Sequence, residues 1–201
     1  MKAALKTSGE KVVNALCKIL AVILIVYWIA FGGLIVERLV IKTFVYPIKY
    51  KEEVQTYSKE YDLDMTLVFS IIKEESGFDK NAVSKKGAVG LMQLRESTAQ
   101  EIANEKRVAT YDLKNAKTNI DFGCYYLRYL IDKFQSEDTA IVAYNAGEGN
   151  VTKWLNDYRY SADGKTLINI PFPESNAYLK RVKDTYKKYK KLYIIFLDKE
   201  R

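Results

Sequence analysis

Two adjacent glutamates, Glu74 and Glu75, close the apolar segment "MTLVFSIIKEES" and raise the chemical question in this chain of 201 residues. The chain contains no histidine. Every mechanism that pairs serine, cysteine or a metal with imidazole is therefore closed to it. Its two cysteines, Cys17 and Cys124, lie far apart in sequence, and two thiols make no metal site on their own. Acid–base work falls to carboxylates, lysine or tyrosine.

Taken as a helix turning by about 100° per residue, Met65 to Glu75 gathers Leu67, Val68, Ile71 and Ile72 on one side. Glu75 falls at the centre of that stripe, and Glu74 at its edge. Glu74 therefore reads as a solvated helix residue. Glu75 points at the core in the last turn, where Ser76-Gly77 stops the helix. A carboxylate on an apolar face loses hydration, so its pKa rises. A glutamate still protonated near neutral pH can donate a proton, as a glycosidase general acid does. The alternative is a structural carboxylate paired with Lys or Arg.

Three further stretches carry candidate groups. In "GAVGLMQL" (87–94), glycines such as Gly90 would let backbone approach a ligand. Gln93 is a lone amide suited to an acetamido or hydroxyl group. The plainer alternative is a tight turn into the next helix, with Ser97 as its cap. In "AIVAYNAGEGNV" (140–151), Tyr144 and Asn145 either line a groove or close a helix before Gly147. In "NIPFPESNAY" (169–178), Pro171 and Pro173 fix an extended approach. Glu174 then sits at a helix start, where the dipole favours a carboxylate.

These groups need elements to hold them. Hydrophobic residues make up 48% of the chain and aromatics 13%, including 16 tyrosines, enough for a packed core. Helical spacing dominates, over 54–76, 97–105, 116–135, 137–147, 149–156 and 175–195. The one strand-like piece is Arg159 to Ile170, with Asp163-Gly164 as its turn. The fold class expected is mainly α with a possible small hairpin. Tyr193 to Leu197, an apolar run, should dock on the domain in preference to the membrane surface.

Ile19 to Val36 runs 18 residues without a charge, close to the roughly 20 needed to cross a bilayer. Lys2, Lys6, Lys11 and Lys18 precede it, which predicts a cytoplasmic N-terminus and an exported remainder. Ala30-Phe31-Gly32 offers a competing cleavage site, and a buried core helix is the third option. The organisation expected is a basic cytoplasmic segment at 1–18, a transmembrane signal anchor at 19–36, a stem at 37–54 and a catalytic domain at 55–195. The net charge of +7 is interleaved with acids along the chain. That leaves no nucleic-acid footprint and suits anionic membrane or wall polymers.

In order and spacing, "ESGF", "GAVGLMQL", "AYNAG" and "IPFPES" followed by Tyr178 resemble the soluble lytic transglycosylase family, over about residues 55–190. The resemblance implies a goose-type lysozyme-like helical domain, with Glu75 as the single catalytic acid–base. It assigns substrate contacts to Ser84, Gly90, Met92, Gln93, Tyr144, Asn145, Glu174 and Tyr178. It implies cleavage of the β-1,4 bond between N-acetylmuramic acid and N-acetylglucosamine in peptidoglycan glycan strands, with a 1,6-anhydro product. No metal or cofactor is needed for that reaction. One departure is Arg95-Glu96, where the family has Met-Pro. It puts a cation in place of an apolar groove contact and changes how the next helix starts. A hydrolase using water would need a second carboxylate across the cleft, for which Asp79 and Asp121 are available. A non-enzymatic wall-binding module would have lost the glutamate of the Glu-Ser pair, and Glu75 is present.

Overall fold

The computed structural model describes residues 2–197, with side-chain surroundings for 9–193 apart from 11 and 14. It divides into two units, Met1–Pro47 and Ile48–Arg201. The first is one long helix, α1 (Lys2–Val40), continued by a π-helical turn over Ile41–Val45. Within it, Ala15–Val45 spans 31 residues and holds an apolar stretch of mean hydropathy 2.8, none of it buried. At 1.5 Å per residue that is about 45 Å, against roughly 30 Å of bilayer hydrocarbon. The helix is therefore long and apolar enough to cross a membrane. It runs past Val36 into the segment expected to be a stem, and Pro47 lies in the non-helical stretch that follows. The side chains of Lys2, Lys6 and Lys11 lie outside the described residues.

The second unit is helical: α2 (Lys51–Glu60), α3 (Met65–Ser76), α4 (Glu96–Lys106), α5 (Ala116–Phe134), α6 (Glu137–Ala146), α7 (Glu148–Leu155) and α8 (Pro173–Leu197). The single helix expected over 54–76 is two. Asp62 adopts a left-handed φ of 49°, and the Asp64 carboxylate accepts from Thr66 N at 2.8 Å, capping a new helix. Asn115 and Ser136 cap α5 and α6 in the same way. Gly77, at φ 59°, ends α3.

The expected hairpin at 159–170 forms no ladder. Asp163 Oδ1 instead accepts from Lys165 N and Thr166 N at 2.8 and 2.7 Å, folding the stretch into a side-chain-capped turn. The two-stranded sheet lies elsewhere, between β1 (Ala88–Val89) and β2 (Leu94–Arg95), paired Ala88 to Arg95 and Val89 to Leu94. Chain leaves β2 directly into α4, so Arg95 rather than Ser97 occupies the cap position and offers no side-chain bond.

Helix α8 packs antiparallel along α3. Tyr178, Val182, Thr185, Tyr189 and Tyr193 form its buried stripe. Residues early in α8 meet the end of α3, and later ones meet its start. Tyr189 stacks on Phe69 at 5.7 Å, and Lys190 pairs with Asp64 at 3.2 Å. Tyr193 stacks on Tyr189 in turn, whereas the side chains of 194–197 lie outside the described residues. Leu67, Val68, Ile71 and Ile72 of α3 are fully buried, each contributing about 1.5–3 kcal/mol of transfer free energy.

The ribbon is locked to α5 by Asn119, which is fully buried. Its Oδ1 accepts from Met92 N at 2.7 Å, and its Nδ2 donates to Val89 O and Leu113 O at 2.9 and 2.8 Å. Gly90 makes this possible. It sits at φ 84°, and a Cβ there would lie 2.3 Å from both Asn119 Nδ2 and Leu113 O. Gly90→Ala should therefore destabilise the protein by roughly 3 kcal/mol or more, combining backbone strain with a backbone clash. Denaturant unfolding measures this, and a loss below about 1 kcal/mol would show that the contact can relax.

Candidate active site

Glu75 stands in the last turn of α3, partly buried, with its side chain turned onto α8. Tyr178, itself buried, donates its hydroxyl to Glu75 Oε1 at 2.6 Å. Among the described residues no cation lies within ion-pair distance of Glu75. Burial pushes its pKa up to about 7. The Tyr178 hydrogen bond and the Arg181 charge pull the other way, and the Glu74 charge pushes it up again. The C-terminal end of α3 carries the negative end of the helix dipole, which also disfavours an anion there.

Glu74 differs from the solvated residue its helical phase suggests. Its side chain is only 14% exposed, and it bonds to Thr185 Oγ1 at 2.7 Å and Arg181 Nε at 3.2 Å. Both glutamates face α8, because that helix is wide enough to cover the edge of the α3 stripe as well as its centre.

The "GLMQ" block is a knot of backbone bonds beside the acid. Ser76 donates its hydroxyl to Leu91 O at 2.8 Å, tying the block to the residue after Glu75. Tyr144 donates to Met92 O at 2.8 Å from α6. Burial raises the Tyr144 pKa well above its ordinary value, and the Glu75 charge adds to this. Met92 is fully buried and its sulfur packs over Gly123, so its side chain offers no surface to a ligand. Gly90 likewise serves a close approach to Asn119 rather than to a ligand. Gln93, at φ 49°, donates its amide to Gly90 O and Ala82 O at 2.8 and 3.1 Å, leaving its side-chain carbonyl as the free acceptor.

Ser84 closes the loop before β1, its Oγ accepting from Ala88 N at 3.0 Å. Asn145, at the end of α6, accepts the Ser175 hydroxyl at 2.8 Å and keeps its amide hydrogens for another partner. Glu174 is exposed, with Lys86 3.8 Å away. The structure thus brings Glu75, Tyr178 and Tyr144 into one electrostatic neighbourhood. Ser84, Gln93, Asn145 and Glu174 make no hydrogen bond or ion pair with Glu75. Asn119, Thr185 and Arg181 were not singled out from sequence, and Ser76 was read only as part of the helix stop and the Glu-Ser pair. The usable signal was Asn119, a polar residue inside the apolar pattern of α5, the same anomaly that drew attention to Glu75.

A carboxyl whose folded pKa is raised binds its proton more tightly when folded. Its ionisation then costs stability. That cost is absent below the ordinary value of 4.5, grows with pH, and is complete above about 7. The gap corresponds to about 3 kcal/mol. Glu75→Gln should leave stability unchanged near pH 4 and raise it by up to ~3 kcal/mol near pH 8. Denaturant unfolding of the full chain in detergent micelles at both pH values checks this. Equal stability at the higher pH would mean that Glu75 is well hydrated.

A family model described as the transglycosylase SLT domain matches residues 52–168. The soluble lytic murein transglycosylase of Salmonella typhimurium is 31% identical over 143 residues, covering 68% of this chain and 22% of that protein. The membrane-bound lytic murein transglycosylase C of Edwardsiella ictaluri is 30% identical over 174 residues, covering 72% of this chain and 47% of that protein. The X-ray structure of an inactive mutant of lytic transglycosylase Slt from Pseudomonas aeruginosa aligns with a TM-score of 0.63 at 29% identity, covering 73% of this chain and 24% of that one. This chain therefore spans about a quarter of the soluble relatives it matches and about half of the membrane-bound one. With a helical unit of their shape and a desolvated glutamate at the end of α3, the chain belongs to the transglycosylase SLT domain family.

Proposed function

We propose that this chain is a bacterial, membrane-anchored peptidoglycan lytic transglycosylase. It cleaves the β-1,4 bond between N-acetylmuramic acid and N-acetylglucosamine and forms the 1,6-anhydromuramyl product. The observation that carries this reading is Glu75, desolvated at the end of α3 and bonded to a neutral hydroxyl rather than to a cation. At neutral pH such a carboxyl exists in both protonation states. Protonated, it donates to the leaving glycosidic oxygen. Bond cleavage leaves positive charge on the ring oxygen and anomeric carbon, which the substrate's own acetamido group or the dipoles of the cleft stabilise. The resulting Glu75 carboxylate takes the proton of the muramic C6 hydroxyl as that oxygen bonds to C1. The hydroxyl outruns water because an intramolecular nucleophile acts at effective concentrations on the order of 10⁵ M or more.

One carboxylate carries this reading, because Glu74 and the two candidates for a second one, Asp79 and Asp121, are engaged elsewhere. Glu74 is held by Thr185 and Arg181. Asp121 is held by Tyr61 at 2.6 Å and Lys106 at 2.5 Å. Asp79 is exposed and accepts from Asn81 N in its own turn. A hydrolase with a second flanking carboxylate is therefore the weaker reading.

Substrate contacts fall to groups with unspent polar atoms: the Ser84 hydroxyl hydrogen, the Gln93 carbonyl, the Asn145 amide and the Glu174 carboxylate. Gly90, Met92, Tyr144 and Tyr178 act by holding the frame and the acid in place. The apolar helix α1 supplies the anchor. The lysines before it put the N-terminus in the cytoplasm and residues 48–201 outside, among the glycan strands. A relative named as membrane-bound supports attachment to a membrane.

The test uses the full chain in detergent micelles with purified peptidoglycan. Products should be lighter by one water than hydrolysis products of the same strands. Glu75→Gln should lose about 10²–10⁴-fold in turnover, because an amide gives up no proton. Undiminished turnover in that variant, or products carrying the extra water, would sink the proposal.

A further inference from the structure

Arg181 is a cation placed where it could undo the site. It lies three residues after Tyr178 on the α3-facing side of α8, with its guanidinium 5.9 Å from the Tyr178 ring. The hydroxyl of that ring is on Glu75. The guanidinium does not reach Glu75. Its Nε instead donates to Glu74 Oε2 at 3.2 Å, while Thr185 Oγ1 donates to Glu74 Oε1 at 2.7 Å. Glu74 is thus fixed through both oxygens, and its side chain is only 14% exposed against 53% for Arg181. Among the described residues, Glu74 is the one carboxylate within ion-pair distance of Arg181.

We propose that Glu74 is a positioning residue: with Thr185 it holds the Arg181 guanidinium on itself and so denies Glu75 an ion pair. This rests on the reading of Glu75 as the acid. The neighbouring glutamates then have divided tasks. One absorbs the cation, and the other bonds only to a neutral donor.

The groups bearing on Glu75 are few. Tyr178 and Arg181 come from α8, Tyr144 from α6 and Glu74 from its own helix. On α2, which also packs against α3, Tyr57 is raised by burial and then by Asp121 and Glu60, not by Glu75. The direction of each change follows. In Glu74→Gln the negative field that favours the protonated acid is gone and Arg181 has lost its partner. Both changes favour ionised Glu75. In Arg181→Met the cation is gone and the protonated form gains. In the double variant the two effects oppose each other.

The readout is the Glu75 side-chain carboxyl carbon resonance, assigned by its absence in Glu75→Gln, titrated by NMR on the full chain in micelles. The midpoint should fall by about one pH unit in Glu74→Gln and rise in Arg181→Met. It should return close to the starting value in the double variant. The basic limb of peptidoglycan turnover should move with it. A purely structural clasp between α3 and α8 would lower stability in all three variants and leave the midpoint in place, which overturns the proposal. If Glu74→Gln does not fold, Arg181→Met decides, since that side chain is exposed and an unmoved midpoint there overturns it equally. Midpoints that shift as stated in a protein with no turnover would sink the function and keep this inference. Turnover with fixed midpoints would do the reverse.

Discussion

The hydrogen bond from Tyr178 to Glu75 is the contact around which the helical unit is arranged. It requires a buried carboxyl, which is costly, and a partner that relieves the cost only in part. Burying a charge unpaired costs several kcal/mol, so such a group neutralises itself instead. A phenol is a donor without a charge. It steadies the carboxylate without making ionisation overwhelmingly favourable, and the result is a pKa near 7. The bond also joins two helices through residues 103 apart in sequence. It therefore exists only while α8 stays seated along α3. The tyrosine stacking lower in the seam, and the grip of Tyr186 and Lys190 on Asp64 at its far end, keep it seated.

A second set of bonds holds the other side of the acid. Ser76, the residue after Glu75, reaches Leu91. Met92 reaches Asn119 on α5 and Tyr144 on α6. Buried polar groups on this scale must be fully satisfied, because each orphan would cost about 1–3 kcal/mol. Here almost every bond ends on backbone, which cannot rotate away. The ribbon thus fixes the end of α3 as a rigid element would, although its strands are two residues each. Gly90 and Gly123 admit this density by lacking a side chain where Asn119 and Met92 pass.

Periodicity made the helices legible, because an apolar stripe records burial directly. It also singled out Glu75, the polar residue in the middle of such a stripe. What it could not show was where two helices meet end to end. Tyr61 to Asp64 interrupts 54–76 through a left-handed Asp62 and an aspartate cap, neither of which disturbs the hydrophobic count. The Asp163-Gly164 turn was legible as a turn but not as a ladder, since Asp163 satisfies the backbone that a partner strand would have paired. Glu74 was misjudged for a related reason. Helical phase gives a direction from one helix, whereas burial depends on how wide the neighbour is. Met92 and Gly90 were placed near the site for the right motif, but their contacts point inward to α5.

A single group asked first to give a proton and then to take one back is confined on both sides. A cation at bonding distance would hold it ionised and leave nothing to donate. Burial with no donor at all would hold it protonated and leave no base. The usable range lies between, where neither form is strongly favoured at the working pH. Glu75 meets that condition through three neighbours that are each incomplete: burial that is partial, a donor that is neutral, and an arginine that is present but engaged by Glu74. The absence of histidine from the chain is consistent with this arrangement. A carboxyl displaced to neutrality by its surroundings can do what an imidazole does unperturbed, and only while α3 and α8 remain together.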